Sequence, residues 1–185
     1  MGAVPVTEVA YDVDGWGTGL LWFADDVLVW HELPTPRVDS IQLGAPQPTT
    51  RFDRNAKNVT RVKPDRDKSV TISPQVVDRL RRYFAGERVG FDDVPIDLDW
   101  CTPFQRAVAD TLRAVPRGEV VTYGELAAFA GYPNAQRAAG TFCAQNRLPL
   151  LIPCHRVVAV DGLGSYGSLG IAFKQRLLAL EGVRL

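Results

Sequence analysis

The fold class predicted is α/β: a small N-terminal β-sheet with a helix over residues 1–94, then a mainly helical C-terminal domain over residues 95–185 that carries a helix-turn-helix. Three observations predict it. Two short β-branched and aromatic runs flank an aspartate pair near the N-terminus, capping patterns open successive helices from Ser73 onward, and two short helical stretches in the second half are separated by a glycine-containing turn. A chain of 185 residues can bury a real core, as one domain or as two small ones.

In chain order, Leu20–Phe23 and Val27–Trp30 flank Asp25-Asp26 and read as a hairpin. Residues 44–68 lose apolar content and gather Arg51, Arg54, Lys57, Arg61, Lys63, Arg66 and Lys68, the pattern of a loop or ragged edge strands. That basic stretch fits either phosphate contact or plain solvation. Ser73 before Pro74 predicts a helix N-cap, with Val76, Val77, Leu80 and Phe84 on one face and Gly86 as the stop. Pro95–Trp100 reads as a linker.

The second half opens with Thr102-Pro103-Phe104-Gln105, a capping box with proline first, ahead of a one-sided stripe through Ala107, Val108, Thr111, Leu112 and Val115. Val120-Val121 predicts a short strand. Thr122 and Glu125 form a second capping box, and the helix they open runs through Leu126, Ala127 and Phe129 to a stop at Gly131. Asn134 then predicts the cap of a helix ending near Asn146. The spacing suits a helix-turn-helix and equally a generic helical hairpin. Ala135, Ala138, Ala139, Phe142 and Cys143 are expected on the core face of that helix, leaving Gln136, Arg137, Gly140 and Thr141 off it.

Composition excludes several classes. With 46% hydrophobic and 23% charged residues the chain is not disordered throughout, and 21 basic residues against 21 acidic give no net charge. The balance is uneven, however: residues 1–100 hold 12 Lys+Arg against 16 Asp+Glu, and residues 101–185 hold 9 against 5. The basic half permits a polyanion without requiring one. Cys101, Cys143 and Cys154 are odd in number and lack CxxC spacing, which suggests neither a disulfide framework nor a cysteine-rich zinc site and points to a reducing compartment. No stretch approaches the roughly 18 apolar residues of a membrane span, and no basic-then-apolar leader opens the chain, so a cytoplasmic protein is expected.

The chemistry concentrates at Pro153-Cys154-His155-Arg156, which interrupts an apolar run. A thiol and an imidazole are adjacent there. A nearby base favours the nucleophilic thiolate, although a lone Cys-His pair can also be a buried thiol beside a satisfied histidine.

The stretch Ile152-Pro153-Cys154-His155-Arg156-Val157-Val158 resembles the active-site signature of the O6-alkylguanine-DNA alkyltransferases. The resemblance extends through Thr102–Gln105, Val121–Ala127, Arg137–Gly140, Asn146 and Leu177–Gly182, in the family's order, and so covers nearly all of residues 100–182. It implies a single irreversible transfer of an alkyl group from the O6 of guanine in double-stranded DNA to Cys154, by a monomer using no metal or organic cofactor. His155 would act as base through a bridging water, Glu181 would orient it, and Asn146 would brace the active-site turn. Glu181 also stands at an expected helix C-terminus, where the helix dipole disfavours a carboxylate unless a partner offsets it.

Tyr123 would crowd the phosphate, help rotate the nucleotide and contact the extruded base, while Arg137 would fill the vacated stack from the minor groove. Flipping is a physical requirement, because a stacked guanine cannot present its O6-alkyl carbon in line to a buried thiol. Gln136, Gly140 and Thr141 would line a close approach to a groove about 6 Å wide. Tyr166 and Ser168, in the glycine-rich segment from Gly162 to Gly170, are the expected pocket residues; the tyrosine is offset by about one position from the family pattern. Arg147 replaces a usual proline, and Gln136 is bulkier than the residue common before the arginine.

Three rival readings compete with this one. A non-repairing alkylguanine sensor lacks the acceptor cysteine, which is present here; a helix-turn-helix regulator would bind DNA with no thiol modification; a cysteine hydrolase usually draws its histidine from a distant segment, and only His31 and His155 exist.

Overall fold

The computed structural model describes residues 6–36 and 72–185, and the basic stretch 44–68 lies outside them. The chain divides into two compact units, one reaching Phe84 and resuming over Asp93–Trp100, the other made of Ala85–Asp92 and Cys101–Leu185. The observed class is α/β, an antiparallel sheet with a helix followed by a mainly helical region, as expected.

In the first unit, β1 (Val6–Val13), β2 (Gly17–Ala24) and β3 (Val27–Thr35) form an antiparallel meander, and α1 (Ser73–Phe84) packs on β1. The expected hairpin is present, with Ala24 paired to Val27 and Asp25 in the left-handed region at φ 53°. The strand before it has no clear signal in the sequence. Its buried residues change phase, Val6 joining Trp22 and Val29 while Tyr11 meets His31 across the sheet, so no simple alternation announces it. Ser73 is the first helical residue instead of the cap, since Val76 N–H already bonds to the Ile72 carbonyl.

Pro95–Trp100 is not a linker. Leu28 N–H donates to the Pro95 carbonyl and Asp97 N–H to the Leu28 carbonyl, both at 2.9 Å, so the segment pairs alongside β3 and buries Leu98.

Gly19 lies directly across from Tyr11, and a Cβ there would stand 2.4 Å from the Tyr11 ring. The ring is 1% exposed and has no room to retreat. Gly19→Ala is therefore expected to destabilise this unit by about 1–3 kcal/mol through overpacking, read as a lower urea midpoint; an unchanged midpoint would show that the ring can move aside.

The second unit contains α2 (Pro103–Arg113), β4 (Val121–Thr122), α3 (Tyr123–Phe129), α4 (Gln136–Ala144), β5 (Val157–Val158) and α5 (Gly170–Leu180). Both capping boxes form reciprocally, Thr102 with Gln105 and Thr122 with Glu125. The short strand lies one residue later than expected, at Val121–Thr122, because its pairing is set by β5, to which it runs parallel. α3 ends in a Schellman motif: Gly131 has φ 87°, its N–H bonds to the Ala128 carbonyl, and Tyr132 N–H bonds to the Ala127 carbonyl. Asn134 is not the cap of α4. It occupies the left-handed region at φ 69°, and α4 starts after Ala135 without a side-chain cap, so the turn is longer than its composition suggested. Ala138 faces solvent, whereas Ala139 and Phe142 form the buried stripe. Among the described residues no helix is long and apolar enough to cross a membrane.

Candidate active site

The parallel pairing of β4 with β5 organises the site. Tyr123 begins α3 directly after β4, level with the residue that follows β5, and Cys154-His155-Arg156 forms a 3-10 turn directly before β5, so the register sets the two at opposite ends of this short strand.

The chain reaches Cys154 through a tight reversal. Ile152 N–H closes on the Leu148 carbonyl at 2.8 Å, and Leu150 between them is buried and left-handed, with φ 70°. Asn146 braces this reversal at three points: its Oδ1 accepts from Leu148 N–H at 3.0 Å, and its Nδ2 donates to the Ile152 carbonyl at 2.7 Å and to Cys154 Sγ at 3.1 Å. The expected brace thus also touches the sulfur. Burial pushes the Cys154 thiol above its ordinary range; Asn146, the Tyr166 hydroxyl and the charge of Lys174 act the other way and favour the ionised sulfur.

His155 is fully buried and meets Glu181 Oε1 at 3.0 Å through Nε2. Glu181 also accepts from Arg156 Nε and Nη2, both at 2.9 Å, while Arg156 Nη1 donates to the Val115 carbonyl at 2.6 Å. Burial alone would raise the Glu181 carboxyl, but these hydrogen bonds outweigh it and hold the carboxyl well below the ordinary range. An ionised carboxylate only accepts, so Nε2 carries the imidazole proton. Burial lowers the His155 pKa, which leaves a neutral ring with Nδ1 as its basic nitrogen. The carboxylate at the end of α5 has the partners its position required, on a Schellman cap closed by Gly182 at φ 86°.

Tyr123 lies between two glycines: a Cβ on Gly140 of α4 would stand 3.7 Å from its ring, and one on Gly164 would stand 3.4 Å from its ring and hydroxyl. Its side chain interacts with Ser165, and its pKa is raised chiefly by burial, so the phenol stays protonated and can donate. In the glycine-rich segment Tyr166 stacks on Phe173 at 6.3 Å and neighbours the thiol, whereas Ser168 is exposed; Ser165 is the serine beside Tyr123. On α4, Gln136, Arg137 and Thr141 are exposed and Gly140 is half-buried under Tyr123. Cys143, expected only to pack, is half-buried and close enough to Cys154 for the two thiols to oppose each other's ionisation.

Two residues escape a reading of the sequence alone. Arg156 stands there only as part of a motif, yet in the structure it grips the Glu181 carboxylate with two of its nitrogens. Lys174 is fully buried on α5. Its position three and four residues before Leu177 and Leu178 places a lysine on the apolar stripe, a signal that was available.

Two short helices joined by a turn, together with a buried cysteine turn whose histidine is paired to a carboxylate, define a protein organised around a single cysteine. The family profile described as "6-O-methylguanine DNA methyltransferase, DNA binding domain" matches residues 103–183. A methylated-DNA--protein-cysteine methyltransferase of Methanopyrus kandleri is 46% identical over 103 residues, 56% of this chain and 76% of that protein. One from Methanothermobacter thermautotrophicus is 40% identical over 111 residues, 60% of this chain, and the match spans 62% of that protein's length. The crystal structure of Mycobacterium tuberculosis OGT in complex with DNA superposes with a TM-score of 0.72 at 32% identity, covering 95% of this chain and 92% of that one. The chain belongs to the methylated-DNA--protein-cysteine methyltransferase family.

Proposed function

We propose that the protein repairs DNA by direct reversal, moving the alkyl group of an O6-alkylguanine in duplex DNA onto Cys154 in one irreversible turnover, one copy per lesion. The observation that carries this reading is a pair of hydrogen-bonded sets on adjacent residues, Asn146–Cys154 and His155–Glu181–Arg156: a sulfur held at 3.1 Å by a donor, next in the chain to a neutral, buried, carboxylate-anchored imidazole.

In this reading His155 takes the thiol proton through a bridging water, and the resulting imidazolium is stabilised by Glu181. The Cys154 thiolate attacks the alkyl carbon in line, the S–C bond forms as the C–O6 bond breaks, and the purine takes up a proton to leave as guanine. Tyr123, whose phenol remains protonated, is the donor or relay for that proton. The thioether has no easy route back to the thiol, so the protein is consumed.

The target base must leave the stack to reach the buried sulfur. The exposed Gln136, Arg137 and Thr141 of α4, with Gly140, are the proposed minor-groove face, Arg137 filling the gap left by the base; Tyr166 is a proposed pocket residue, and Ser168 contributes from the rim. The basic excess of residues 101–185 suits a phosphate backbone.

The direct test is intact mass and peptide mapping after incubation with duplex DNA containing O6-methylguanine. One added methyl on Cys154 supports the reading; specific binding with no mass change would mean a sensor without transfer. Arg137→Ala is expected to slow transfer from duplex DNA far more than from free O6-benzylguanine, compared by single-turnover rates. Equal losses on both substrates would remove the stack-filling role.

A further inference from the structure

We propose that Lys174 is the built-in counter-ion of the Cys154 thiolate, a positioning residue fixed in place by the carbonyls of Val157 and Leu163. The inference deepens the alkyl-acceptor reading and rests on it for its biological meaning.

Lys174 is 0% exposed, and a buried ammonium is costly unless its hydrogens and its charge are both met. Its Nζ donates to the Val157 carbonyl at 2.5 Å and to the Leu163 carbonyl at 2.5 Å. Two neutral acceptors satisfy two hydrogens and leave the charge unmatched. Among the described residues no carboxylate forms an ion pair with Lys174. Glu181, the buried carboxylate of the same unit, is committed to His155 and Arg156.

The titratable groups that face Lys174 are Cys154 and His155 of the cysteine turn and Cys143 of α4. His155 cannot supply a negative charge, and burial pushes both thiols above their ordinary range. Cys154 alone among the three has a second donor, Asn146, already bonded to its sulfur. The anion that the lysine awaits is therefore the one the reaction needs. Its two carbonyl partners lie on β5, just after the cysteine turn, and in the loop leading to Tyr166, so the ammonium also ties these two segments together.

The test uses the full chain and a probe independent of DNA: iodoacetamide, with the modified peptide of Cys154 separated by mass from those of Cys101 and Cys143, across a pH series. Lys174→Gln keeps two N–H donors without charge, Lys174→Met removes both, and Lys174→Arg keeps the charge. The pH profile of Cys154 alkylation is expected to move up by a unit or more in the first two, about tenfold slower at neutral pH, with most of the rate restored by arginine. Folded Lys174→Gln with the parent's profile would overturn the proposal.

Should the position-174 variants fail to fold, the reciprocal measurement decides. The Lys174 amine, followed by NMR of its ε-methylene, is expected to titrate at lower pH in Cys154→Ala than in the parent, and identical titrations would overturn the assignment. A parent that takes no methyl from duplex DNA, but whose iodoacetamide profile moves with residue 174, would remove the repair reading and leave the counter-ion standing.

Discussion

Cys154→Ala is expected to lose alkyl transfer completely while remaining folded and keeping its hold on lesion-bearing duplex. Every bond formed or broken in the proposed reaction passes through this sulfur, and no neighbour can substitute. Cys143 is the nearest candidate, but burial and the adjacent thiol hold it protonated. Removing the sulfur costs little structurally, on the order of 1 kcal/mol, because Asn146 keeps its 2.7 Å bond to the Ile152 carbonyl and its acceptance from Leu148 N–H. The paired readouts are a single-turnover assay with O6-methylguanine duplex and a binding titration on the same DNA. A methyl group recovered on the variant protein would sink the assignment of the acceptor.

Glu181→Ala is expected to have the largest effect on stability, about 3–5 kcal/mol, since it strands a buried cationic partner. Arg156 loses two bonds and His155 loses the acceptor that fixes its tautomer. Transfer falls with it, because an unanchored imidazole can place its proton on either nitrogen. The pH dependence has a definite sign. Glu181 is held below its unfolded pKa, so its contribution is present above the ordinary carboxylate range and is lost as pH falls toward its folded value. His155 is also lowered, by burial, so below about pH 6.5 the unfolded chain binds the extra proton and stability drops again with acid. Urea midpoints of the parent thus decline on acidification, and Glu181→Gln flattens the part of the curve in the carboxylate range. A parent-like midpoint for Glu181→Ala at neutral pH would refute the network's structural role.

The parts of this architecture legible in sequence were those set by neighbours in the chain. Both capping boxes follow from residues three apart, the hairpin from a polar pair between β-forming runs, and the Gly131 stop from the need for a left-handed residue. The cluster around the cysteine was legible through a motif rather than through physics alone, since nothing in the spacing of His155 and Glu181 announces that the cysteine turn and the end of α5 bring them together.

What stayed hidden depends on distant partners. β1 buries residues on both faces at its two ends, so its alternation is broken, and Ile96 becomes strand-like only because Leu28 is beside it. Asn134 has the composition of a cap, but the backbone used it for a left-handed turn instead, an equally good use of asparagine. Arg156 and Lys174 were missed for the opposite reason: arginine and lysine are expected at the surface, and only their buried acceptors explain them.

The left-handed Leu150 in the reversal before the cysteine has a consequence for how the sequence can change. Its backbone conformation costs about 1–3 kcal/mol in a residue of this shape, and its buried side chain returns about 1.5–3 kcal/mol. Glycine would relieve the backbone and forfeit the burial; asparagine would suit the backbone and place an amide among apolar groups. A β-branched residue would worsen the conformation. Position 150 thus resists change to small, polar or β-branched residues, although Leu150 takes no part in the chemistry.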